Sequence, residues 1–326
     1  MTWLEGLPHQ VMPFVDTEKQ LETPTAVVGY AHPRYAASLS EFGTPRHLPR
    51  SDGWILERPI PGTASSDAMG CYPMFDCGDW SQLPDDLEEL QKELVSLTLV
   101  PAPFAPYDRA LLERCFGRVV HFKDHFVADL SRPVEEIVKR THRKSARRAL
   151  RNVDVRVCTR PEDHLDTWAD LFSTLAGRHN ITGLRAFSKQ AFAQQFNIPG
   201  MVMFEARADG ATVGLDLWYV QDDVAYGHLA ACSAHGYKLS ASYATKWFLM
   251  HYFADKVRWI DFGGVAGVKS NGSDGLAKFK QGWSTGTKPV FLCGRIFQAD
   301  AYNDLVEARQ AGVTEYFPAY RDGEFP

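Results

Sequence analysis

The chain has 326 residues, 45% hydrophobic and 23% charged, an ordinary globular composition with enough apolar material for one large core or two smaller ones. Its net charge of −5 excludes a generic nucleic-acid binder, so any polyanion must meet a local basic patch. The N-terminus lacks a basic segment followed by an apolar run, and nothing approaches the roughly 18 apolar residues of a membrane span, so a cytoplasmic protein is expected.

Residues 1–25 carry no clear period. HPRYAASLSEFG then reads as a helix, with Pro33 in its first turn and Gly43 as its stop. GWILERPI and CYPMF read as strands. LPDDLEELQKEL reads as an amphipathic helix with acids in its first turn. VSLTLVPA is a buried strand, YDRALLERCFG a helix, and RVVHFKDHFVADLS an alternating strand. RPVEEIVKRTHRKSARRALRN reads as one long basic helix, followed by the strand VDVRVCT. Two helices come next, the second capped by Ser188. Residues 201–232 give three strands joined by the turns ADGA and QDD. A helix over SASYATKWFLMHYFADK, the strand VRWIDF, a helix over SDGLAKFKQGW, the strand KPVFLCGRIF and a last helix complete the chain. Both halves thus end on a β-α-β-α-β order, which predicts a mixed α/β protein.

Cys71, Cys77, Cys115, Cys158, Cys232 and Cys293 are scattered without a C-x-x-C, so reduced thiols are expected, with neither a zinc site nor a disulfide framework. HFVAD, from His125 to Asp129, matches H-x-x-x-D, but it lies in an alternating strand without companion motifs and is not read as catalytic.

Residues 261–283, DFGGVAGVKSNGSDGLAKFKQGW, place a glycine-rich loop between a strand and a helix. Such loops commonly hold anionic groups against free backbone N–H groups. Leu276, Phe279 and Trp283 form an apolar stripe, and Lys280 lies on its border. A lysine there either snorkels into water or fixes an ammonium at a cleft. Asp261 ends a strand and either caps the loop or accepts a proton. Gly263 and Gly264 permit close approach to a ligand. On the hairpin strands Asp216 shares a face with Trp218, and Tyr226 shares one with His228. A cross-strand pair of Asp216 with His228 would supply a proton acceptor. Arg140, Lys144, Arg147 and Arg151 make a basic stripe with no acid between Arg140 and Arg151. Unpaired cations at that spacing repel, which implies a missing anionic partner such as phosphate.

The element order looks like the GNAT acyltransferase fold. WIDFGGVAG with GLAKFKQGW resembles the C-terminal signature of Fem-type transferases, the peptidoglycan-bridge aminoacyltransferases. THRKSARRALRNVDVRV resembles the segment that opens the second GNAT unit of such proteins. The resemblance covers residues 135–300 best. It implies two GNAT-like units, a degenerate one over 1–134 and a better-formed one over 135–326. It also implies transfer of an acyl group from aminoacyl-tRNA or acyl-CoA to an amine on a peptide or small molecule, with no tightly bound cofactor and no metal. The catalytic candidates are then Lys280, Asp216, His228 and Asp261. The binding candidates are Phe279, Gly263, Gly264, Tyr226 and Tyr243, with Arg143 and Arg147 of the basic segment 139–151 meeting tRNA. Two departures stand out. The R/Q-x-x-G-x-G/A loop of coenzyme A-dependent GNAT enzymes is replaced by CSAHGYKLSASYATK, which retains only Gly236. Ser284 also stands where the Fem pattern has glycine. The missing loop favours aminoacyl-tRNA as donor. A non-catalytic binding protein on the same scaffold is the reading from another class.

Overall fold

The protein's structure, a computed structural model, describes residues 27–265, 275–310 and 314–324; the N-terminal stretch and the glycines at 267 and 272 lie outside these. Eleven strands form one continuous mixed sheet. They are β1 (Thr44–Leu48), β2 (Gly53–Pro59), β3 (Ser66–Gly70), β4 (Leu94–Leu99), β5 (Arg118–Asp129), β6 (Asp154–Val157), β7 (Met201–Ala208), β8 (Ala211–Gln221), β9 (Val224–Cys232), β10 (Trp259–Asp261) and β11 (Gly286–Ile296), in the spatial order β1-β2-β3-β4-β11-β5-β10-β9-β8-β7-β6. Neighbours run antiparallel except β3 with β4 and β9 with β10. The two halves are woven together. β5 pairs with β10, and the late strand β11 lies between β4 and β5.

Helices cover both faces. One core gathers Tyr30, Tyr35, Trp168, Phe192, Tyr219 and Tyr226, and another gathers Ala146, Phe204, Trp218, Phe253, Ile260 and Trp283. Packing of these rings and aliphatic chains is the main stabilising term. Most expected elements form. Three differ. CYPMF is not a strand; its place in the sheet is taken by β3, and β1 is a further strand that the pattern did not reveal. The long basic helix is broken into Val134–Ile137 and Arg140–Ala149, because Val138 and Lys139 are extended and the Lys139 N–H bonds to the Gly282 carbonyl at 2.9 Å. The helix Ala234–Leu239 precedes the expected one, Ala241–Phe253. All six cysteines are buried free thiols. No described helix is long and apolar enough to cross a membrane.

Candidate functional site

β10 pairs with β9 over only three residues, the last pair being Asp261 with Tyr226. Past that point the chain stays with β5, through Phe262 N–H to the Phe126 carbonyl (2.9 Å) and Phe126 N–H to the Gly263 carbonyl (3.2 Å). β9 runs on to Cys232 without a partner on this edge among the described residues. The two parallel strands therefore part at Asp261. A parting of strands inside a sheet leaves backbone groups and side-chain tips facing a crevice, where ligands bind in α/β proteins.

Lys280 reaches this crevice from the helix Gly275–Gln281. Two of the three expected stripe residues pack inward, Trp283 fully buried and Phe279 against the same core, but Leu276 is 39% exposed and Ala277 is buried instead. Lys280 consequently points inward, and its Nζ donates to the Gly264 carbonyl at 2.6 Å. Gly263 has φ of +72°, and a Cβ built on it would lie 3.4 Å from the ammonium, so a side chain there would be strained and would crowd the lysine. Withdrawal from water lowers the Lys280 pKa to about 8, with Asp261 pulling it back up and Lys246 and Lys123 pushing it down.

Asp261 is 1% exposed and fully engaged. Its Oδ1 accepts from the Gly263 N–H at 2.7 Å, and its Oδ2 lies 2.8 Å from His125 Nδ1. His125 does not pair with Asp129, which instead bonds Ser131, Thr285 and Arg258. Sequence reasoning missed the Asp261 partnership because the two residues are 136 positions apart.

The expected pair of Asp216 with His228 does not form. Asp216 stands opposite Ala230, and an irregularity in the β8–β9 register between Leu217 and Trp218 leaves His228 without a cross-strand partner. Asp216 instead accepts from Trp218 Nε1 (2.7 Å) and Lys246 Nζ (2.6 Å), while the Lys246 ammonium lies 4.7 Å from the Trp218 ring centre. No sequence signal marked Lys246. His228 lies in the other core, between the Tyr30 hydroxyl and the Gln195 carboxamide, each at 3.2 Å. Burial among Tyr30, Tyr35, Phe187 and Tyr219 lowers its pKa to about 3. That is too low for a proton acceptor working near neutrality. Tyr226 is buried beside Tyr30.

Phe279 and Tyr243 meet edge-to-face at 5.0 Å and, with His142 and Trp283, enclose an aromatic box. His142 Nε2 lies 3.1 Å from the Phe279 carbonyl, which docks the basic helix onto the Lys280 helix. On its outer side Arg147 is exposed and Arg143 half-buried. None of Lys139, Arg140, Arg143, Lys144, Arg147, Arg148 and Arg151 forms a salt bridge among the described residues. Elsewhere Cys158, His164 and Glu205 place potential ligand atoms within 4.8 Å of one another. Glu205 already accepts from Arg156 Nε at 2.7 Å and from Thr212, so a guanidinium occupies the place of a cation.

Residues 138–281 match the family model described as an acetyltransferase (GNAT) domain. No curated protein matches the chain by sequence. Among solved structures, FemX is similar at 14% identity and a TM-score of 0.62, over 83% of this chain and 92% of that one. The C-terminal domain (DUF2156) of a protein described as a putative lysylphosphatidylglycerol synthetase, from Agrobacterium fabrum, is similar at 16% identity and 0.61, over 86% and 92%. L-PGS from Bacillus licheniformis is similar at 13% and 0.54, over 83% and 94%. Residues 138–281 thus match a GNAT acetyltransferase domain, and the fold of the chain as a whole is similar to that of FemX.

Proposed function

We propose that the chain transfers an aminoacyl group from aminoacyl-tRNA to an amine on a peptide or small molecule. The observation that carries the reading is the Lys280 ammonium, held at the parting of β9 and β10 by a single carbonyl. A preorganised cation there meets the negative charge that develops on the acyl carbonyl as the amine attacks. Positioning and a proton acceptor complete the requirements, and no covalent nucleophile is needed. Phe279 and Tyr243 would line the donor's path, and Gly263 and Gly264 would let the backbone close on it.

Two observations support tRNA over coenzyme A. The first is the row of basic side chains without salt bridges on the helix Arg140–Ala149. The second is the junction after β9, where a pyrophosphate loop is expected in coenzyme A-dependent relatives. Ser233 Oγ takes the Gly236 N–H at 3.1 Å, the Ser233 carbonyl takes the Tyr237 N–H at 2.9 Å, and Gly236 packs so closely that an added Cβ would lie 2.2 Å from the Val213 carbonyl oxygen. Those N–H groups are engaged inside a short helix and are not offered to a phosphate.

The test is parallel incubation with labelled aminoacyl-tRNA pools and labelled acyl-CoA. Transfer from the tRNA pool is expected. Calorimetry showing micromolar or tighter binding of acetyl-CoA would overturn the donor assignment. Arg143→Ala with Arg147→Ala is expected to weaken tRNA binding and to flatten the log–log salt dependence by roughly one for each phosphate no longer neutralised. An unchanged slope returns the basic helix to an ordinary solvated surface.

A further inference from the structure

His125 lies outside the GNAT segment 138–281, on the strand that borders it. It is 8% exposed in the middle of the sheet, a position where an imidazole without a purpose is costly. Its Nδ1 meets Asp261 Oδ2 at 2.8 Å. The carboxylate has no proton to give when ionised, so the imidazole donates from Nδ1, and in the neutral ring Nε2 is then a bare acceptor. Nε2 has no hydrogen-bond partner among the described residues and is not among the buried polar atoms sealed away without one.

Its place in the sheet is also informative. β5 and β10 pair Val127 with Asp261, Ala128 with Ile260 and Asp129 with Trp259. Phe126 then bonds Phe262 through its carbonyl and Gly263 through its N–H, so two residues stand against one and the regular register ends there. Asp261 ties two positions together: its Oδ2 meets His125 Nδ1 and its Oδ1 takes the N–H of Gly263, the glycine whose bare α-carbon faces the Lys280 ammonium. Imidazole and ammonium, from two different elements, are thus linked through Asp261 and Gly263 at the end of the crevice. A carboxylate fixes the ring, the ring offers a free nitrogen, and a cation waits beside the same glycine. This is the division of labour of a base, its orienter and an oxyanion stabiliser, recognised by geometry and not by sequence order.

We propose that His125 is the general base of the transfer and that Asp261 is its positioning residue. The proposal rests on the acyl-transfer reading above. The acceptor amine forms its bond to the ester carbonyl carbon while its surplus proton passes to His125 Nε2. The carbonyl oxygen gathers negative charge against Lys280. The bond from that carbon to the donor's ribose oxygen then breaks, and the imidazolium returns the proton to the departing oxygen. Nothing is oxidised or reduced, and the base is restored. Asp261, with both oxygens occupied by Gly263 and His125, takes no proton itself.

The charged and titratable groups around the ring are Asp261 on β10, Lys288 opposite it on β11, Lys123 two residues back on β5, Tyr226 beside Asp261 on β9, and Lys280. Lys288 is drawn over the Phe104 ring, 4.6 Å from its centre. Because several of these bear on any pH profile, the test observes the ring directly. The full chain is labelled with ¹⁵N-histidine, and the His125 signals are assigned by their loss in His125→Gln. At neutral pH the wild type is expected to show a protonated Nδ1 and a bare Nε2, and Asp261→Asn is expected to disturb that tautomer. A wild-type ring protonated at Nε2 overturns the proposal.

Turnover supplies the second arm. His125→Gln is expected to keep donor binding and to lose about 10²–10⁴-fold in kcat. His125→Gln at the wild-type rate overturns the base, whichever donor is used. Transfer from acyl-CoA with an impaired His125→Gln overturns the donor but supports the base, since the amine sheds its proton in either case.

Discussion

Lys280→Met is expected to fold normally and to lose about 10²–10³-fold in kcat, the usual cost of removing one charged donor from a preorganised site. Methionine keeps most of the stem's apolar packing and removes the charge. The lost charge is one that burial penalises, so the variant is expected to be no less stable than the wild type at neutral pH. Lys280→Arg keeps the charge, but a planar guanidinium cannot occupy the place of the ammonium 2.6 Å from the Gly264 carbonyl, so partial loss is expected. The pKa near 8 adds a pH signature. If the ammonium is the working form, wild-type kcat falls as pH rises through about 8, and Lys280→Arg loses that limb. Stability moves the other way. The native state binds fewer protons here than the unfolded chain, whose lysines titrate near ~10.4. The wild type should therefore gain stability relative to Lys280→Met as pH rises from about 8 towards about 10. A folded Met variant with wild-type turnover would make Lys280 a packing residue.

The second large effect is on folding. Asp216→Ala leaves the Lys246 ammonium buried without its carboxylate, which typically costs about 3–5 kcal/mol, measurable by urea unfolding. Replacing both partners together, Asp216→Leu with Lys246→Met, should recover part of that loss: an apolar pair needs no desolvated charge, but the buried Trp218 Nε1–H is left without its acceptor. The double variant also separates two roles for Asp216. Near-wild-type turnover in a stable double variant makes the pair a structural clamp beside Trp218. A stable but inactive one assigns the pair to the chemistry. An Asp216→Ala variant as stable as the wild type would show that the two charges are not coupled in the folded protein.

What the sequence revealed follows the range of the forces involved. Strong local periodicity disclosed the strands of the hairpin region, the helix Leu83–Leu90 and the Ser188 cap, whose hydroxyl takes the Ala191 N–H at 3.1 Å. β1 was illegible because TPRHL carries a proline and mostly polar residues, the composition of a sheet-edge strand. The break at Val138–Lys139 depends on the Gly282 carbonyl, far along the chain, so helix propensity alone ran straight through it. At the site, Lys280 was legible because glycine, lysine and aromatics lie close together in one stretch. Asp261 with His125 and Asp216 with Lys246 were not. Each pair is assembled by sheet register or helix packing from separate parts of the chain. His228 was misjudged for a related reason. Period-two alternation identified its face, but a local irregularity in strand pairing and a full shell of tyrosines were invisible in one dimension.

The insertion of β11 between β4 and β5 bears on how the protein is made. A ribosome releases residues 1–134 long before residues 286–296 exist, and until then β4 and β5 each have an open edge where their shared neighbour belongs. Unsatisfied edges of that kind invite wrong partners, and early units ordinarily fold first only when they are self-sufficient. A fragment 1–134 expressed alone should thus show a poorly dispersed amide spectrum, and adding fragment 135–326 should restore dispersion. A native-like spectrum from the first fragment alone would refute this. The nascent N-terminal half is in this sense a waiting half-sheet, and the protein becomes a single cooperative object only when the last strand of its sheet is delivered.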